Sequence, residues 1–146
     1  MLAVSIKRLT PTAILPIKGS PEAACFDLHV DSFTFDPRGY DVRTGLAVAL
    51  PPGYGMLIYP RSGLSTKHGL TLRNGTGVID SDYRGEILLK FNGSIDGYTN
   101  EVREALQPGS RIAQAMIIQL PEVVLEEVSE LPNSVRGTGG FGSTGI

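Results

Sequence analysis

Short alternating apolar runs, separated by Pro and Gly, leave this chain few ways to fold. "FDLHV" alternates Phe26, Leu28 and Val30, and Phe33 and Phe35 follow. "GLAVAL" alternates Leu46, Val48 and Leu50. "VSIKRL", "YGMLIYP", "EILLKF", "RIAQAMIIQL" and "EVVLEEV" are further runs rich in strand-forming residues. "DPRGYD", "PPGYG" and "QPGS" supply the turns between them. Helix is confined to "SGLSTKHG", enough for a turn or two, and to "YTNEVREAL", with Thr99 or Asn100 as its cap. The pattern predicts an all-β domain, a barrel or a jelly-roll-like sandwich. Such short strands leave sheet edges that must be covered, charged or paired, and a closed homo-oligomer would pair them.

The chain has 146 residues, the size of one domain. A hydrophobic share of 41% and a charged share of 19% describe a globular protein. The net charge of −2 argues against a general nucleic-acid binder. Cys25 is the single cysteine, so no intramolecular disulfide forms. No apolar run is long enough to span a bilayer, and Lys7 and Arg8 interrupt the N-terminal apolar stretch. These features predict a soluble, cytoplasmic protein.

Three polar stretches carry more chemistry than a turn requires. In "PRSGLS", Arg61 offers a donor fork, Ser62 a hydroxyl and Gly63 close backbone approach, a grouping that suits a phosphate oxygen. The bland reading is a plain turn at a strand end. In "NGTGVIDSDYRGE", Asp80 and Asp82 stand two apart and would share one face of an extended chain. Asp80 follows Val78 and Ile79, so an apolar wall could lie beside a carboxylate that deprotonates a water. Asp-Ser-Asp is equally good turn chemistry.

The third stretch is "RGTGGFGSTGI", Arg136 to Ile146. Glycine-flanked amides can form an anion-binding nest. Arg136 adds charge, Ser143 and Thr144 add hydroxyls, and Phe141 can stack on a nucleobase for about 1–3 kcal/mol. Ordering these glycines costs about 1–2 kcal/mol per residue. The stretch is therefore expected to close only on a ligand or partner, where a frayed end would need neither Arg136 nor Phe141. A phosphorylated, aromatic ligand, in other words a nucleotide, satisfies all three stretches. No Walker-type loop, dinucleotide-binding alternation or Cys/His zinc cluster is present in the sequence.

In their order along the chain, "AACFDLHV", "PRSGLS", "GVIDSDYRG", "PGSRIAQ" and "RGTGGFGSTG" resemble the five motifs of the trimeric dUTPase family. The resemblance implies a jelly-roll-like, β-clip fold and a homotrimer whose C-terminal arm is exchanged. Residues 1–135 would be the core and 136–146 the arm that closes a neighbour's site. It implies hydrolysis of dUTP to dUMP and pyrophosphate with Mg2+, which keeps uracil out of DNA and supplies dUMP for dTTP synthesis.

By position, Asp80 would hold the attacking water as general base, and Gln114 would help place the triphosphate. Arg61, Ser62 and Gly63 would contact phosphates. Asn74 and the backbone of Gly77, Val78 and Ile79 would form the uracil pocket, and Leu88 would bind substrate. Tyr83 would lie under the deoxyribose and exclude a 2′-hydroxyl. Arg136 would meet the γ-phosphate, Phe141 would cover the base, and Gly142, Ser143 and Thr144 would wrap the phosphates. Mg2+ would bind through phosphates and water, with Asp27 in its outer shell or supporting the site.

Two departures stand out. Cys25 replaces the family's usual Gly, with a small local adjustment expected. "FNGSIDGYTNEVREALQPG" is longer than the usual link, an extra surface loop or helical turn that could meet a protein partner through residues 93–107. His68 reads as structural or surface-exposed, His29 as a polar-face residue, and Cys25 as a small buried side chain. Glu126 and Glu127 read as a solvated strand face. The rival functions are a dCTP deaminase-like nucleotide enzyme, and a trimer that binds a protein and uses nucleotide as a switch.

Overall fold

In a computed structural model, residues 2–93 and 99–140 are described; Phe141, Gly142, Ser143 and Thr144 lie outside them. Two antiparallel sheets face each other. The first runs β1 (Ser5–Arg8), β5 (Gly39–Ala49), β4 (Ser32–Asp36), and β8 (Glu86–Asn92) also pairs β5. The second runs β2 (Ile17–Lys18), β3 (Phe26–His29), β9 (Arg111–Gln119), β6 (Tyr54–Pro60), β7 (Gly77–Ile79). Helices α1 (Ser62–His68) and α2 (Asn100–Ala105) complete the described elements. The all-β, jelly-roll-like expectation is met.

The core lies between the sheets. Ile87, Leu89 and Phe91 alternate inward along β8, while Leu88 and Lys90 face out. They meet Leu28, Ile58 and Ile112 of the second sheet, all but inaccessible to solvent. Each such side chain contributes about 1.5–3 kcal/mol of burial.

The long strand β5 bends at Gly45, which has φ 65°. A Cβ there would lie 2.6 Å from Thr10 Oγ1, so only glycine fits. The Gly45 amide donates to Glu86 Oε1 at 2.9 Å, and Arg43 Nη1 reaches Glu86 Oε2 at 2.6 Å. The bend thereby anchors the start of β8 and the turn that precedes it.

Several sequence expectations need correction. His29 does not sit on a polar face but is buried, 7% exposed. The register of β3 against β9 shifts between Leu28 and His29, which breaks the alternation and turns both side chains inward. "EVVLEEV" forms no strand: residues 121–128 pair with nothing among the described residues and are exposed throughout. A strand needs a ladder partner, and this run has none among the described residues. The 93–107 segment makes the expected helical turn, α2, and Val102 and Leu106 carry it into the core. Thr99 caps α2, accepting from the Val102 amide. Residues 94–98 of that segment lie outside the described residues. Cys25 is half-buried.

Candidate active site

The predicted phosphate-binding residues form one cleft, because three strands of the second sheet lie side by side. Gln114 on β9 is in register with Asp27 on β3 and with Tyr59 on β6. Its Nε2 donates to the Pro60 carbonyl at 3.2 Å, tying β9 to the residue before Arg61. Arg61 then caps α1 in extended conformation, and Ser62 and Gly63 form the first turn. Asp27, Arg61, Ser62, Gly63 and Gln114 all line a cleft of about 360 Å³.

Asp27 is held between two guanidinium groups. Arg61 Nε lies 3.4 Å from Oδ1, and Arg111 Nη1 lies 3.2 Å from Oδ2. Arg61 Nη1 also donates to the Arg111 carbonyl at 3.3 Å, beside the β-bulge. Asp27 thus fixes the direction of Arg61. Sequence reasoning missed Arg111, although it stands inside "PGSRIAQ"; its part depends on the bulge, which no spacing rule reveals. Behind this group, burial lowers the pKa of His29, Asp27 opposes the shift, and Arg111 and Arg61 reinforce it.

The predicted base-binding residues form a second, separate pocket. Asn74, Gly77, Val78, Ile79 and Leu88 line a space of about 220 Å³. Strand β7 hangs on the edge of β6 by three residue pairs, so its outer backbone edge is open. Gly77 crosses Ile58 closely enough that a Cβ would approach Ile58 Cβ to 3.1 Å. The cations at this pocket are tied off: Lys90 pairs with Asp41, and Arg73 Nη1 lies 3.5 Å from the same carboxylate. That suits an uncharged ring better than a phosphate.

Asp80 follows β7 directly and Asp82 lies in the turn beyond it. The Tyr83 amide donates to the Asp80 carbonyl at 3.2 Å, so the pair sits on a turn and not on an extended chain. Asp80 is exposed, and no apolar wall among the described residues covers it. Tyr83 donates its hydroxyl to the Glu86 carbonyl at 3.0 Å, which lays its ring over Gly85. The Arg136 Nε–H donates to the Gly139 carbonyl at 2.8 Å in an exposed turn. The two pockets share no lining residue, and neither is lined by Asp80, Tyr83 or Arg136.

Among the described residues no cluster of three or more His, Cys, Asp or Glu could hold a metal ion. Asp27 is the carboxylate of the phosphate cleft, with both oxygens facing arginines.

Comparison with known proteins agrees with this geometry. The dUTPase family pattern matches residues 12–145. The chain belongs to the dUTPase family. A deoxyuridine 5′-triphosphate nucleotidohydrolase of Wolinella succinogenes is 44% identical, over 99% of this chain and 95% of that protein. One from Oryza sativa is 43% identical, over 98% of this chain and 81% of that protein. A Staphylococcus bacteriophage 80alpha dUTPase solved with dUPNHPP superposes with TM-score 0.82 at 25% identity, covering 99% of each chain. No helix of the described residues is long and apolar enough to cross a membrane.

Proposed function

We propose that this chain hydrolyses dUTP to dUMP and pyrophosphate, limiting uracil in DNA and supplying dUMP for dTTP synthesis. The observation that carries this reading is the division of labour between two pockets. One is lined by apolar side chains such as Ile58, Leu72 and Leu89 beside Asn74 and strand β7, with its cations paired to Asp41; the other is lined by Arg61, Lys67, the Ser62 hydroxyl and Gln114. Uracil presents a 3-NH between two carbonyls, which an open backbone edge at β7 can read. A site built to hydrogen-bond one edge discriminates strongly, because the wrong base leaves its polar groups unpaired. Tyr83, under the sugar, leaves no room for a 2′-hydroxyl.

In the proposed reaction Asp80 accepts a proton from water as its oxygen attacks the α-phosphorus. The bond to the bridging oxygen breaks, and pyrophosphate leaves. Gln114 orients the triphosphate, and Arg61, Ser62 and Gly63 hold its oxygens. Arg136 joins at the γ-phosphate, Phe141 covers the base, and Gly142, Ser143 and Thr144 wrap the phosphates, which would exclude bulk water as the arm closes. Mg2+ would arrive on the triphosphate and neutralise its charge, keeping most of its own waters. Asp27 is the residue that would meet that water shell, while its direct work is to aim Arg61.

The working unit in this reading is a homotrimer with residues 136–146 acting as an exchanged arm. Two observations support it. The base pocket, the phosphate cleft and Asp80 are separate within one chain, so a complete site needs more than one copy. Residues 121–135 also expose apolar side chains that have no partner of their own, Leu125 at 93% and Val124 at 79%. The reading places the protein in the cytoplasm.

The test is pyrophosphate release with Mg2+ from dUTP, UTP, dTTP and dCTP, by the wild type and by Asp80→Asn. Release from dUTP alone, lost in the variant, supports the reaction, the selectivity and the base together. Ammonia from dCTP would instead favour the deaminase. A folded protein that releases nothing would favour a nucleotide-binding module.

A further inference from the structure

Lys67 lines the phosphate cleft together with Arg61, Ser62 and Gly63. It is exposed, and among the described residues it has no carboxylate partner. The cleft's own carboxylate cannot serve it, because Asp27 already faces Arg61 and Arg111. The contrast with the base pocket is informative, since Lys90 and Arg73 there share Asp41. The cleft therefore holds a lysine outside any ion pair where the pocket does not, although Lys67 also borders a neighbouring pocket that Glu101 lines.

The position of Lys67 is fixed by the end of its helix. Gly69 closes α1 in the left-handed conformation, φ 65°, with its amide bonded to the last-turn carbonyls. The Leu70 amide bonds to the Leu64 carbonyl at 3.3 Å, and the Leu70 side chain is buried. A helix rises 1.5 Å per residue, so the Lys67 backbone stands about 7.5 Å beyond Ser62 along the axis. A chain of phosphates entering at Ser62 and Gly63 and running along α1 brings its far end within reach of a lysine side chain.

We propose that Lys67 is a further phosphate-binding residue, a point charge for the terminal phosphates of the substrate and for the departing pyrophosphate. The inference rests on the reading that this cleft receives the triphosphate. A purely structural role is the competing account, because a cation in the last turn of a helix stabilises that helix.

The test uses calorimetric titration of the full-length protein with Mg2+, once with the non-hydrolysable analogue dUpNHpp and once with dUMP. Wild type, Lys67→Gln and Lys67→Arg are compared, with thermal melts alongside. Lys67→Gln should weaken dUpNHpp about tenfold and leave dUMP within about twofold. Lys67→Arg should recover most of the loss, since the contact needs charge and reach more than shape. Unchanged dUpNHpp affinity in Lys67→Gln would overturn the proposal. So would an equal loss for dUMP accompanied by a lower melting temperature, which is the structural outcome. If the wild type bound neither nucleotide, the reading of the cleft itself would fall, and that result is distinct from a failure of Lys67 alone.

Discussion

Tyr83 occupies the space that a side chain at Gly85 would need: a Cβ there would lie 2.3 Å from the Tyr83 hydroxyl oxygen and 2.5 Å from Cζ. The ring lies flat over residue 85 because that residue is glycine, and its hydroxyl is pinned to the Glu86 carbonyl. Gly85→Ala must therefore displace the ring, although no core residue is touched. The expected result is a fall in kcat/KM for dUTP of about 10–100-fold, equivalent to roughly 1.4–2.8 kcal/mol. The preference for dUTP over UTP should fall as well, if the ring lies under the sugar as proposed. Kinetics with both nucleotides check this. An unchanged preference would remove Tyr83 from sugar selection.

Asp27→Asn removes the charge that Arg61 and Arg111 share while keeping the shape. Asp27 is largely buried and both guanidiniums are partly exposed, so the fold should lose only about 1 kcal/mol. Catalysis should suffer more, by about 10–100-fold in kcat/KM, as Arg61 loses its direction. The informative measurement is the Mg2+ dependence. A positioning role raises KM for dUTP at every Mg2+ concentration; a metal-shell role shifts the Mg2+ requirement itself.

Most of the fold was legible because its strands alternate cleanly. Ile87, Leu89 and Phe91 point inward just as period-two reading requires. The illegible parts are those where long-range pairing overrides the local pattern. His29 is buried by a bulge whose cause lies on β9, far away in sequence. Strand β7 lies outside every strand-forming run of the sequence, since Gly77, Val78 and Ile79 become a strand only by hydrogen-bonding to β6. "EVVLEEV" shows the reverse: its residues favour a strand, but no ladder exists for it among the described residues. The phosphate cleft was visible in residue types, though the clamp on Asp27 needed the register of β3 against β9. Asp80 was placed by motif; it is exposed, and the described residues supply no wall beside it.

His29 makes stability depend on pH. Burial lowers its folded-state pKa, with Asp27 opposing and Arg111 and Arg61 assisting. Above the unfolded value, near 6.5, both states hold a neutral ring and His29 contributes no slope. As pH falls below about 6.5, the unfolded chain takes up the proton more readily and the fold loses stability. The loss can be no steeper than about 1.4 kcal/mol per pH unit, and it ends where the folded imidazole also protonates. Urea melts between pH 7.5 and 5 (chosen to bracket about 6.5) should show this slope. His29→Gln should flatten it, and an equal slope in the variant would assign the effect to other groups.

Two truncations separate assembly from closure. The last ladder residue is Gln119, and beyond it come exposed apolar residues, among them Val123, Leu125 and Leu131. These have the composition of a strand awaiting a partner, and an apolar groove lined by Leu2, Val4, Ile6, Phe26 and Ile117 lies open on the body. Arg136 and the residues after it carry charge and glycine instead, suited to a ligand and not to a groove. A chain ending at Val135 should keep the trimer and its melting temperature but lose most dUTP turnover, at least about 100-fold. Ending the chain at Gln119 should leave the apolar groove uncovered, and the protein should then run as a monomer or aggregate. Light scattering and pyrophosphate release on the two chains decide the matter. If the chain ending at Val135 also lost its trimer, the arm would be a structural clasp. Closing over the substrate would then not be its function.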